Sequence, residues 1–183
     1  MPAPHPAAHR PGAVTDVASR LLGFPDPVNE VSARLVAAGV VTMAAGAVVL
    51  DWRWLTVPLA YGFVARVLTG PTASPLGQLV TRVLTPRLPL APRWVPGPPK
   101  RFAQGIGVAF SGTALVLTAL GAWGPAQVVL LLLSTAAFLE AAFGLCLGCH
   151  AFAALMRLGV IPEEVCERCA DLWGGRSAPS PQA

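Results

Sequence analysis

Ala126-Gln-Val-Val-Leu-Leu-Leu-Leu-Ser-Thr-Ala-Ala-Phe-Leu-Glu-Ala-Ala-Phe-Gly-Leu-Cys-Leu-Gly-Cys-His150 is an apolar run long enough to cross a bilayer, and it ends in a C-x-x-C pair. The segment that follows reaches Cys166-Glu-Arg-Cys169, so all 4 cysteines of the chain fall in two close pairs. Both pairs stand where apolar sequence gives way to charged residues. Upstream, the chain reads as scaffold that carries this cluster to a membrane surface.

The whole composition agrees with that reading. Of 183 residues, 54% are hydrophobic and only 12% charged, against about a quarter charged in an ordinary soluble domain. A chain this small has too little interior to hide so much apolar surface from water. The net charge of +4 is spread along the chain and is not interleaved with aromatics on one face, which argues against nucleic-acid binding.

Residues 1–23, rich in Ala, Pro and His, carry Arg10 and Arg20 but no apolar core after them, so they read as a cytoplasmic tail and not a signal peptide. Asp26-Pro27 is a helix entry, with Asp26 as the cap. A first span is expected over Val31–Leu50, a tight turn at Asp51-Trp-Arg-Trp54, and a second span to about Thr69. A proline-rich stretch, 70–104, follows, in which Pro75–Leu84 reads as a short amphipathic helix on the membrane. The third span is expected over Gly105–Ala122, and the fourth from Ala126 to the first cysteine pair. Each half is a hairpin with a tryptophan-bearing outer turn, but no residue-level repeat accompanies that likeness.

Lys and Arg placement orients the bundle. Basic residues gather in the tail, in the central loop (Arg82, Arg87, Arg93, Lys100, Arg101) and in the C-terminal segment (Arg157, Arg168, Arg176), whereas the two outer turns hold only Arg53. The positive-inside rule therefore puts both termini and the central loop in the cytoplasm. Trp52, Trp54 and Trp123 then lie in the opposite interfacial belt. Three charges fall within or beside the spans: Arg34, Arg66 and Glu140. The matched depth of Arg66 and Glu140 suggests that Glu140 pairs with Arg66 or Arg34, because an unpaired charge in hydrocarbon is costly. The alternative is that both arginines snorkel and Glu140 is protonated. Lys100 and Arg101 read as a basic flank that fixes orientation, with anion binding as the alternative.

Cys146, Cys149 and His150 share one helical face if the fourth span stays helical past Gly144 and Gly148. A new helix is expected from Pro162, with Cys166 and Cys169 towards the bundle. Three readings stay open. The pairs form a thiol-redox or sulfur-relay system, with Cys166 and Cys169 attacking and Cys146 and Cys149 resolving, since a late position in a helix disfavours a thiolate. Alternatively Cys146, Cys149, Cys166 and Cys169 hold zinc or an iron–sulfur cluster, for which the spacing is suitable. In the third, they are small buried hydrophobes.

Several segments are similar to a family of uncharacterised bacterial integral membrane proteins, domain of unknown function 4395. They are Asp26-Pro-Val-Asn-Glu30, Gly70-Pro71 with Ser74-Pro-Leu-Gly77, Gly97-Pro-Pro-Lys-Arg-Phe-Ala-Gln104, Leu139-Glu-Ala-Ala-Phe-Gly144 with Cys146-Leu-Gly-Cys149, and Pro162-Glu-Glu-Val-Cys-Glu-Arg-Cys169. The resemblance covers roughly 24–173. It implies sulfur or thiol chemistry by association with thioredoxin-like and rhodanese-like soluble proteins, which would be the partners, and it assigns no catalytic residue.

The fold expected is all-α: a four-span transmembrane helical bundle over 24–173 with short cytoplasmic surface helices, between tails at 1–23 and 174–183. It would lie in the inner (cytoplasmic) membrane with both ends in the cytoplasm. The function expected is a cytoplasm-facing thiol-redox or sulfur-relay protein. The alternatives are a metal-binding structural protein and a small transporter component that uses Arg66 and Glu140.

Overall fold

The computed structural model describes residues 25–89 and 91–161. Three of its helices are long and apolar enough to cross a membrane: α1, Glu30–Val49; α5, Gly97–Ala119; and α6, Trp123–Phe143. Between α1 and α5 lie α2, Thr56–Thr69, entered through a 3-10 turn at Arg53–Leu55, and α3, Pro75–Leu79. A π-helical segment, Val80–Leu84, joins α3 to α4, Thr85–Arg87. The last described helix is α7, Leu147–Arg157. The one exception to an all-helical fold among the described residues is an antiparallel pair of two-residue strands. These are β1, Val28–Asn29, and β2, Trp94–Val95, in the register Val28↔Val95.

The second expected span is thus a shorter helix. At ~1.5 Å rise per residue, the 14 residues of α2 reach about 21 Å, short of the ~30 Å hydrocarbon core. Its outer face is nevertheless apolar: Val57, Tyr61, Val64 and Leu68, spaced along one side, are all exposed. α5, by contrast, begins eight residues earlier than the apolar run suggests, because Gly97-Pro98-Pro99 is a helix start, with prolines where no amide needs a partner.

α1 packs chiefly against α6 and α2 against α5, with α5 touching α6 between them. The seam is made of small residues. Ala44, Ala47, Ala114 and Ala126 are fully buried, and a Cβ on Gly107 would stand 2.1 Å from the Phe63 ring. Close backbone approach of this kind is how helices gain contact where burial from water provides no driving force. Val40, Leu59, Phe63, Leu130 and Leu133 fill the core around them.

The two halves are built alike at a level the sequence conceals. Arg34, the fifth residue of α1, donates to the carbonyls of Ala141 and Ala142 at the end of α6 (3.1 and 2.8 Å). Arg101, the fifth residue of α5, donates to the carbonyl of Val67 at the end of α2 (3.1 Å). Both receiving helices end on a glycine with positive φ, Gly70 at 63° and Gly144 at 70°. Each of these glycines donates its amide four residues back, to Arg66 and to Glu140 (2.9 Å in both). Charges of opposite sign therefore occupy corresponding places. The carbonyls that a helix end leaves orphaned are thus satisfied from the other half of the molecule.

Helix entry also differs in detail from expectation. Asn29 caps α1, accepting from the Val31 amide at 3.0 Å. Asp26 instead accepts from the amide of Gly97 at 3.0 Å, and so caps α5, 71 residues away.

Candidate functional site

The N-termini of α1 and α5, the C-termini of α2 and α6, and all of α7 meet at one end of the bundle, opposite the tryptophan turns. α6 stops at Phe143 because Gly144 adopts the left-handed conformation that side-chain-bearing residues avoid. Two residues later Cys146 begins α7 as its cap, and its sulfur accepts from the Cys149 amide at 3.3 Å. The expectation of one helix continuous through Gly144, with Cys146, Cys149 and His150 on its face, is therefore corrected. The electrostatic argument reverses with it. This pair stands at the start of a helix, where amide dipoles favour a thiolate, and not late in one.

Cys146 and Cys149 are joined in a disulfide. Cys146 is buried (6% exposed) and Cys149 half-buried. α7 is pinned to α5 by the edge-to-face contact of Phe152 with Phe102 (5.6 Å between centroids) and by Gly148, the inner glycine of the motif. A Cβ at Gly148 would lie 2.6 Å from Cα of Ala103, a backbone atom that cannot yield. Gly148→Ala is thus expected to push the first turn of α7 off α5 at a cost of about 1–3 kcal/mol. The change should appear as faster alkylation of Cys146 in the reduced protein, and unchanged alkylation would contradict this account.

The expected partners of the buried charges are also corrected. Glu140 pairs with Lys100 at 2.6 Å, both side chains largely withdrawn from solvent (16% and 9% exposed). Arg34 serves the end of α6 as described. Arg66, 5% exposed, donates to Gln104 Oε1 (2.9 Å) and Ser74 Oγ (3.2 Å) and stacks over Phe63 at 4.5 Å. Ser74 Oγ also caps α3 by accepting from the Gly77 amide at 3.2 Å. The sequence reading placed Lys100 in a basic flank and not against Glu140, and it gave Gln104 and Ser74 no role. The signal for the first two was the proline-led start of α5, which turns a supposed loop into two helical turns facing the core.

Cys146 borders two cavities of different character. One, of about 280 Å3, is lined by Glu30, Arg93, Lys100, Cys149, His150 and Phe152 and lies at the end of the bundle. The other, of about 400 Å3, runs between α5 and α6 and is lined by Phe63, Ile106, Phe110, Leu132 and Leu133, with Gln104 and Glu140 also in its wall. Cys149 lines only the first. Cys166 and Cys169 lie outside the described residues, and so does any meeting of the two pairs or a metal site that uses all of them.

A family model described as "Domain of unknown function (DUF4395)" matches residues 28–157. No curated protein and no solved structure matches the chain.

Proposed function

The chain belongs to the DUF4395 family, and we propose that it is a membrane-embedded dithiol–disulfide protein whose working couple is Cys146–Cys149. The observation that carries this reading is a disulfide at a helix start, with Cys146 buried and Cys149 half-buried beside a cavity that charged side chains line. A thiolate entering by that cavity attacks Cys149 Sγ, and the S–S bond breaks. Cys146 leaves as a thiolate that accepts from the Cys149 amide, which favours it as the leaving group. A second thiol of the donor then attacks the mixed disulfide. The donor departs oxidised and the pair is reduced by two electrons.

The donor is a vicinal dithiol: the chain's own Cys166 and Cys169, or a thioredoxin-like soluble partner. The setting is a bacterial inner membrane, with four passes and both ends cytoplasmic. The exposed apolar side of α2 and the basic residues at the cysteine-bearing end support that arrangement.

The test uses the full-length protein in detergent. Reduced glutathione, a single thiol, is added briefly and quenched with acid, and mixed disulfides are assigned by peptide mass spectrometry. Modification is expected at Cys149 over Cys146 by at least about tenfold, given their difference in access. Equal modification, preference for Cys146, or an inert disulfide would sink the proposal. A Cys166→Ser/Cys169→Ser variant separates the two donors, because it removes only the internal one.

A further inference from the structure

The geometry points to a lipid-soluble quinone as the electron acceptor that re-forms the Cys146–Cys149 disulfide, bound in the cavity between α5 and α6. This inference rests on the dithiol reading above and names the second substrate of the same site. Cys146 is the wall common to both cavities. On its polar side a water-borne dithiol can reach Cys149. On its other side the walls are Phe63, Ile106, Phe110 and Leu133, supplied by α2, α5 and α6. Leu132, which also lines this cavity, is 56% exposed on the outer, apolar surface of α6, so the occupant is drawn from lipid.

The cavity's size, about 400 Å3, lies in the range of roughly 300–1,000 Å3 typical of small-molecule sites. Its lining is mostly apolar, with Gln104 and Glu140 as the polar side chains besides Cys146. That pattern suits a ring with carbonyl oxygens at one end and a hydrocarbon body. Phe110, also in the lining, offers an aromatic ring for contact. Re-forming the disulfide requires an acceptor of two electrons and two protons, and quinones are the lipid-soluble class that takes both. In the step, the two S–H bonds break and the S–S bond forms. The two electrons and two protons pass to the quinone, whose carbonyl oxygens become the two O–H groups of the hydroquinone.

The experiment uses full-length protein in lipid nanodiscs, reduced with dithiothreitol and desalted. A decyl-substituted benzoquinone is added in one arm and glutathione disulfide in the other. Quinone absorbance and the state of the Cys146–Cys149 peptide are followed together. The expected result is quinone loss in step with disulfide formation. In Ala136→Phe and Ile106→Trp, which fill the cavity from its two walls, the ratio of quinone-driven to glutathione-disulfide-driven oxidation should fall at least about tenfold, as loss of access to a site predicts.

If glutathione disulfide oxidises the pair and the quinone does not, the acceptor inference is overturned while the dithiol reading stands. If neither oxidant re-forms the bond, both fail. An unchanged ratio in a folded cavity-filled variant also overturns the site. Should both variants misfold, an azido-quinone photolabel on the wild-type protein decides: label within 103–110 or 132–137 supports the site, and label only elsewhere refutes it.

Discussion

Lys100→Met is expected to destabilise the protein by about 3–5 kcal/mol, the range for removing one partner of a buried ion pair. Lys100 reaches Glu140 at 2.6 Å where neither side chain has appreciable access to water. Without the ammonium, the largely buried carboxylate is left without its counter-charge and must carry its desolvation cost alone. The double variant Lys100→Met/Glu140→Leu removes both charges together, and should recover most of the loss, because a buried pair is worth little against an apolar pair of like volume. Reversible unfolding in mixed micelles, followed through tryptophan fluorescence, measures all three variants. If the double variant is as unstable as the sum of the single changes, the pair does not hold α5 to α6.

Arg66 should be the next most sensitive position, and lysine should not rescue it. Its guanidinium makes two directed hydrogen bonds, to Gln104 and Ser74, while its carbon sits over the Phe63 ring at 4.5 Å. An ammonium is a point charge on a flexible stem and cannot reproduce a planar fork and a stacked face together. Arg66→Lys is therefore expected to cost about 1.5–3 kcal/mol, the range for hydrogen bonds made by a charged group. Arg66→Ala should cost more, because it also opens a void beside Phe63 and strands Gln104. The same unfolding assay reads both variants, and a neutral Arg66→Lys would mean that only the charge matters. Because Ser74 also caps α3, loss of Arg66 should loosen the 75–87 segment, measurable as faster amide hydrogen exchange there.

The corresponding positions of Arg66 and Glu140 carry different chemistry in the two halves of the molecule. Each sits four residues before the glycine that ends its helix. After Gly70 the chain turns into Ser74 as a cap; after Gly144 it turns into Cys146 as a cap. One half thus presents a hydroxyl held by a buried cation. The other presents a sulfur as the cap and a carboxylate paired with Lys100.

What could be read from the chain alone follows from local rules. Apolar length identifies α1, α5 and α6 as membrane-crossing candidates, the tryptophan turns mark the far end, and two C-x-x-C pairs draw attention to the opposite end. Each of these is a property of consecutive residues. Three matters were settled only by tertiary packing. The sequence does not reveal whether Gly144 continues a helix or ends it, because glycine adopts right- and left-handed conformations about equally well. The ending is fixed by Arg34, which reaches across from α1 to take the last carbonyls of α6. Nor does depth along a span decide which cation meets Glu140. That depends on how α5 is rotated against α6, which brings Lys100 inward and leaves Arg101 outside. And Cys146 gains its place at a helix start, between a polar and an apolar cavity, only because Gly148 lets α7 fold back onto Ala103. Hydropathy acts along the chain, whereas pairing and cavity shape arise between elements far apart in it.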